Sequence, residues 1–262
     1  MPVVSVTSPK GGAGKTTLAA TLGVGLRRIG WRVLALDCDR ENALRLHFEL
    51  AGDDPPGIAN VGAADRDWTE LVVEAPNGVF VIPFGSVGAR DSARLSAHIG
   101  DNPGWVRRQL APFFAYRDLA VVVDMPPGPS VYDAEIDAFV DLRIAVLLAD
   151  AVSLALLPRL QRGDFVGERP PRRRSPTGFV VNQVEPRRRL CRDVMALTQE
   201  VLGEALFGAV HQDEAVAEAV ACQLTVLDYA PESVAAHDMA AVANRVHDTL
   251  APALVREGDN LC

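Results

Sequence analysis

The feature that most constrains this chain lies at its start. A β-branched run, Val3-Val4-Ser5-Val6-Thr7, leads through Ser8 and Pro9 into Lys10-Gly11-Gly12-Ala13-Gly14-Lys15-Thr16-Thr17, and apolar residues at helical spacing follow to Ile29. Strand, glycine-rich loop and helix in this order form a phosphate cradle. Glycines let backbone N–H groups turn inward toward phosphate oxygens, and the helix N-terminus adds positive potential. Lys15 is placed to bridge β- and γ-phosphates, and the Thr16 hydroxyl to ligate Mg²⁺. A glycine turn before an ordinary helix is the plain alternative. It does not account for the lysine, the threonine pair and the preceding strand together.

The rest of the chain alternates short strand-like runs with helical patterns. Strands are expected at Val3–Thr7, Arg32–Leu36, Val79–Ile82, Leu119–Val123, Leu142–Leu148, Thr177–Val181, Leu206–Val210 and Thr225–Leu227, with helical spacing in segments such as Thr17–Ile29 and Val194–Leu202. Near-continuous apolar strands such as Ala120-Val121-Val122-Val123 belong to a sheet covered on both faces. The expected fold is therefore α/β: a doubly wound, mostly parallel sheet of about eight strands in one domain over residues 1–262. Such sheets bind ligands at the carboxyl ends of their strands. Two loop-like stretches, Asp53–Asp67 and Arg169–Pro176, read as surface insertions within that domain.

Composition excludes several alternatives. A net charge of −8 argues against a main task of coating DNA or an anionic membrane. The four cysteines, Cys38, Cys191, Cys222 and Cys262, show neither C-x-x-C pairing nor metal-ligand spacing, so reduced thiols are expected. The most apolar stretch, Ile144 to Leu157, is interrupted by Asp150 and too short to span a bilayer. With no room for a signal peptide ahead of Val3, a cytoplasmic location is expected.

The loop departs from the strict P-loop pattern, because Pro9 stands at the first glycine position and a second lysine, Lys10, precedes the glycine pair. Lys10 and Lys15 are the only lysines among 26 basic residues, and a compact ammonium suits a crowded phosphate pocket. The motif K-G-G-x-G-K-S/T-T is that of the MinD/ParA family of deviant-Walker ATPases, which this sequence resembles along essentially its whole length. The resemblance implies ATP and Mg²⁺ as ligands, Gly11 to Thr17 as the cradle, and a homodimer that closes on ATP. Lys10 then reaches across the dimer to the partner's phosphates.

Carboxylates close two of the strands. Asp37 and Asp39 follow Val33-Leu34-Ala35-Leu36, and a spacing of two puts both side chains on one side of an extended segment. Helix capping of the segment from Glu41 is the structural alternative for the pair. Asp124 ends Leu119–Val123, where a carboxylate is costly unless it has a cationic or hydrogen-bonded partner. The resemblance assigns Asp39 to water activation, Asp37 to the outer shell of magnesium, and Asp124, in the D-x-P-P motif, to the Walker-B position. Asn182, after Val180-Val181, resembles the family's adenine-recognising asparagine, since an amide offers both donor and acceptor. Pro231, in the loop Leu227–Ser233, matches the segment beside the base.

The segments Glu41–Phe48, Asp213–Val220 and Asp228–Ala236 narrow the resemblance to the branch of the family found with bacterial cellulose synthesis, the BcsQ group. It implies a slow, partner-stimulated ATPase that assists or regulates cellulose synthesis and secretion. Its partners would be synthase components, which could recruit it to the inner membrane. A ParA-type partition ATPase binding DNA non-specifically is the alternative. Arg172–Arg174 and Arg187–Arg189, flanking one strand, would then form a basic patch. The C-terminal helix candidate Val234–Leu250 lacks the basic face of a lipid anchor, so direct membrane binding is not expected.

Overall fold

The computed structural model describes residues 1–50, 52, 54–62, 66–161 and 175–258. The chain starts in the middle of its own sheet. β1 (Val3–Thr7) lies between β5 (Leu119–Asp124) and β6 (Leu142–Leu148). Beyond β5 come β2 (Arg32–Asp37), β4 (Phe80–Ile82) and the edge strand β3 (Val73–Glu74). Beyond β6 come β7 (Thr177–Val184) and β8 (Leu206–His211). All pairings are parallel except β3 with β4.

Helices cover both faces. On one side lie α1 (Lys15–Ile29), α8 (Glu214–Ala221), α9 (Val226–Tyr229) and α10 (Val234–Gly258). On the other lie α2 (Ile58–Val61), α3 (Ala89–Asp101), α4 (Trp105–Leu110), α5 (Val131–Ile136), α6 (Ala151–Gln161) and α7 (Arg189–Leu202). The unbroken apolar run of β5 follows from this double cover. Ala120 and Val122 pack with Leu18, Leu22 and Val242 on the α1 face, while Val121 and Val123 pack with Ile99, Val106 and Ile136 on the other. Each buried valine there contributes about 1.5–3 kcal/mol.

Two features of the sheet differ from expectation. Thr225–Leu227 is not a strand. The Thr225 hydroxyl donates to the Asp228 carboxylate at 3.1 Å, and the Asp228 N–H donates back to the Thr225 carbonyl. These contacts hold the first turn of α9, whose Val226 and Leu227 enter the core, so tertiary packing prevails over β-branched propensity. The eighth strand is instead β3, which turns into β4 through Pro76-Asn77-Gly78, with Gly78 at φ 77°. The segment from Glu41 forms a turn and a short 3₁₀ helix, Leu44–His47. In the Asp53–Asp67 stretch, the described residues include α2, and Ile58 and Val61 are buried. Arg169–Arg174 lie outside the described residues.

The apolar stripe of α10, including Ala235, Ala236, Met239, Val242, Val246 and Leu250, is buried in the core. Among the described residues, no helix is long and apolar enough to cross a membrane.

Candidate nucleotide site

The loop after β1 opens at the carboxyl edge of the sheet. The Ser8 hydroxyl donates to the Lys10 carbonyl at 2.9 Å, and Gly12 and Gly14 take φ values of 74° and 82°. Glycine adopts this left-handed region without the steric cost a Cβ brings. Gly14 meets a second restriction, because a Cβ there would lie 2.2 Å from Asn182 Nδ2. From Gly14 the chain enters α1, and the Leu18 N–H donates to the Gly14 carbonyl at 2.9 Å. The loop thus presents its backbone at the positive end of a fifteen-residue helix.

Strand register brings the carboxylates to Lys15. Asp37 pairs with Asp124 across β2 and β5, and Val6 pairs with Asp124 across β1 and β5. Lys15 Nζ donates to Asp124 Oδ1 at 2.6 Å and lies 3.5 Å from Asp39 Oδ2 and 3.2 Å from Thr16 Oγ1. Burial acts to lower the Lys15 pKa, but Asp124, Asp39 and Asp37 outweigh it and keep the ammonium charged. Asp37 is fully buried, and burial together with the Asp124 charge pushes its carboxyl well up. Its two oxygens accept from the Asp39 N–H at 2.8 Å and the Leu44 N–H at 3.1 Å, which shape the turn carrying Asp39. Burial also raises Asp124, against the opposing pull of Lys15.

Asp124 Oδ2 is enclosed and, among the described residues, has no hydrogen-bond partner. Together with the neighbouring Thr16 hydroxyl it forms a set of hard oxygen donors, and a hydrated magnesium ion satisfies such a buried, orphaned carboxylate oxygen. The residues present therefore fit the ion.

The remaining expected residues fall in three places. Lys10 forms an ion pair with Asp150, just beyond the carboxyl end of β6. Asn182 lies within β7, paired with Leu148, and its Nδ2 donates to the Ala13 carbonyl at 2.8 Å, so the amide braces the loop. Gln183, at φ 56°, adds a 3.4 Å contact to the Gly12 carbonyl. Pro231 is exposed in the turn between α9 and α10, and among the described residues no hydrogen bond joins it to the loop. Asp150 and Gln183 are the site residues that sequence reading misses. The signal for Asp150 was an acid interrupting an apolar run at a strand end, as at Asp124. Of the arginine runs, Arg172–Arg174 lie outside the described residues, whereas Arg188 pairs with Glu185 and Arg189 with Asp193.

With this geometry in place, relatives can be compared. The family described as "Cellulose biosynthesis protein BcsQ" matches residues 1–246. The chain belongs to the BcsQ family. Cellulose biosynthesis protein BcsQ of Escherichia coli K12 is 24% identical over 254 residues, covering 93% of each chain. Among solved structures, the septum site-determining protein MinD of Pyrococcus horikoshii, complexed with Mg-ADP, superposes with a TM-score of 0.75 at 21% identity. That match covers 97% of this chain and 98% of MinD. A ParA family ATPase of Chlorobium tepidum gives a TM-score of 0.69 at 19% identity, covering 93% and 97%. The expected fold, a mostly parallel eight-stranded sheet of MinD/ParA type, is the one observed.

Proposed function

We propose that this chain binds Mg²⁺-ATP at Gly11–Thr17, dimerises around it, hydrolyses it slowly, and acts as an accessory or regulator of bacterial cellulose synthesis and secretion. The observation that carries the reading is the Lys15 ammonium, buried at the mouth of the glycine loop among Asp124, Asp39 and Thr16, with Asp124 Oδ2 left without a partner among the described residues. Buried titratable clusters with shifted pKa values, as at Lys15, Asp37 and Asp124, concentrate at functional sites.

Bound magnesium nucleotide would supply the scissile phosphoanhydride and neutralise charge on its oxygens. The chain's own residues do the rest. Backbone N–H groups of Gly11 to Thr17 hold phosphate oxygens, Lys15 adds a positive charge, and Thr16 and Asp124 hold the metal, with Asp37 behind them. Asp39 orients the attacking water and accepts its proton at a carboxylate oxygen. Lys10, released from Asp150, serves the other subunit. Asn182 recognises adenine and keeps the loop in shape, and the Pro231 turn lies beside the base.

Support for the cellulose role is family membership together with the match to E. coli BcsQ over nearly the whole chain. The partners would be synthase components, with the protein cytoplasmic and recruited to the inner membrane through them. DNA partition is less favoured, since Arg188 and Arg189 already have acidic neighbours. Calorimetry with Mg²⁺-ATP tests the site: binding in the wild type and its loss in Lys15→Ala are expected, and a well-folded wild type giving no heat overturns the reading. Capture of the ATP-bound Asp39→Ala protein from its host separates the two roles, by synthase subunits or by partition proteins.

A further inference from the structure

The segments that carry the site's carboxylates have a second side. Strand alternation sends Asp37, Asp39 and Asp124 toward α1, and sends Cys38 and Met125 to the opposite face, into the cluster with α3 and α5. There, at the carboxyl ends of β2 and β5, lies an open crevice of about 480 Å³. Cys38 and Arg40 form one wall, Pro126 with Pro129 to Tyr132 another, and Phe84 with Ser92 and Ser96 of α3 the third.

Its chemistry is mixed in a specific way. Phe84, Pro126, Pro129 and Val131 make it mainly apolar, and Val131 is exposed although it is a large hydrophobic residue. The Arg40 guanidinium is exposed at the rim, and among the described residues no carboxylate pairs with it. The crevice therefore offers an apolar slot and a free positive charge at its edge.

We propose that this crevice is a docking pocket for a short segment of a partner protein that inserts one apolar side chain and sets a neighbouring carboxylate on Arg40. The positive rim on an acidic chain selects the acidic flank. Because the same two segments carry Asp39 and Asp124, and the Gly128 N–H donates to the Ser8 carbonyl at 3.3 Å, docking and nucleotide occupancy are thermodynamically linked. That linkage rests on the nucleotide reading above; the pocket itself does not.

The probe is a random heptapeptide library displayed on phage, selected on the whole protein with Mg²⁺ and a slowly hydrolysed ATP analogue. Selected peptides are expected to carry an apolar residue beside Asp or Glu. They should bind at least tenfold more weakly to Ser96→Trp, which fills the slot, and to Arg40→Glu, which reverses the rim. Calorimetry should show both variants still binding ATP, and circular dichroism should show both folded. No enrichment, or peptides that bind both variants as they bind the wild type, overturns the proposal. Variants that instead lose ATP-dependent dimerisation, with no peptide selected, would assign the crevice to a second copy and also overturn it. If peptides are selected and discriminate as stated while the wild type binds no ATP, the pocket stands and the nucleotide reading falls.

Discussion

The Lys10 ammonium is paired with the Asp150 carboxylate of its own subunit, so the lysine assigned to the partner's phosphates starts out engaged at home. Burial acts upward on the Asp150 pKa, but the Lys10 hydrogen bond and the Ser153 amide outweigh it and hold the carboxyl below its usual range. About a third of each side chain is exposed, and pairs of this kind contribute only about 0–1 kcal/mol. Replacing Asp150 by Asn should therefore leave the thermal midpoint within a few degrees of wild type. It should raise the dimer fraction at subsaturating ATP, measured by sedimentation. An unchanged dimer fraction would show that the pair does not compete with dimer closure.

Lys15 is a different case, because its neighbours are buried. Lys15→Ala removes the cation that compensates Asp124 and Asp39 and leaves carboxylates in a site closed to water. Breaking a buried pair costs about 3–5 kcal/mol. Asp37 and Asp124 both have raised pKa values, so protonation relieves the uncompensated charge as pH falls. Chemical denaturation should accordingly show a larger loss for Lys15→Ala at pH 8 than at pH 5, with part of it recovered in Lys15→Ala/Asp124→Asn. Equal losses at both pH values would mean that the carboxylates are compensated by another group.

Much of this arrangement was legible in the chain because the residues involved obey local rules. The glycine loop, the apolar run of β5 and the strand-end aspartates each declare their place through backbone freedom or the cost of buried charge. What sequence reading misses depends on neighbours distant in the chain. The Lys10–Asp150 and Asn182–Ala13 contacts span 140 and 169 residues and follow from β1, β6 and β7 lying side by side. β3 is only two residues long, and its one local signal is Asn77-Gly78, the hairpin dipeptide. Thr225–Leu227 was misread because β-branching is context-dependent and yields here to the burial of Val226 and Leu227 against the core.

Gly14 separates backbone strain from side-chain collision. Gly14→Ala would put a Cβ at φ 82° and 2.2 Å from Asn182 Nδ2. The left-handed backbone alone costs roughly 1–2 kcal/mol. The collision adds to it by displacing the amide that braces Ala13. The single variant should lose ATP binding in calorimetry and unfold at lower denaturant. Adding Asn182→Gly should restore part of the stability but not the affinity, since φ stays positive and the brace is gone. Full recovery of both would show that the collision alone mattered.

Asp133 gives the fold a pH dependence separate from the site. It caps α5, accepting from the Ser130 N–H, and burial raises its carboxyl to about 6 despite that bond and the Arg143 charge. A folded pKa above the ordinary 3.8 means that the folded state holds the proton more tightly. The stability this provides is complete below about pH 4 and is lost as pH rises through about 6, a change of about 3 kcal/mol. Asp133→Asn cannot ionise yet keeps an oxygen to accept from Ser130. Its unfolding free energy, measured by urea titration from pH 4 to 8, should fall less steeply with pH than that of the wild type. The two curves should be furthest apart in slope between pH 4 and 6. Parallel curves would place the Asp133 proton in the unfolded chain as firmly as in the folded one.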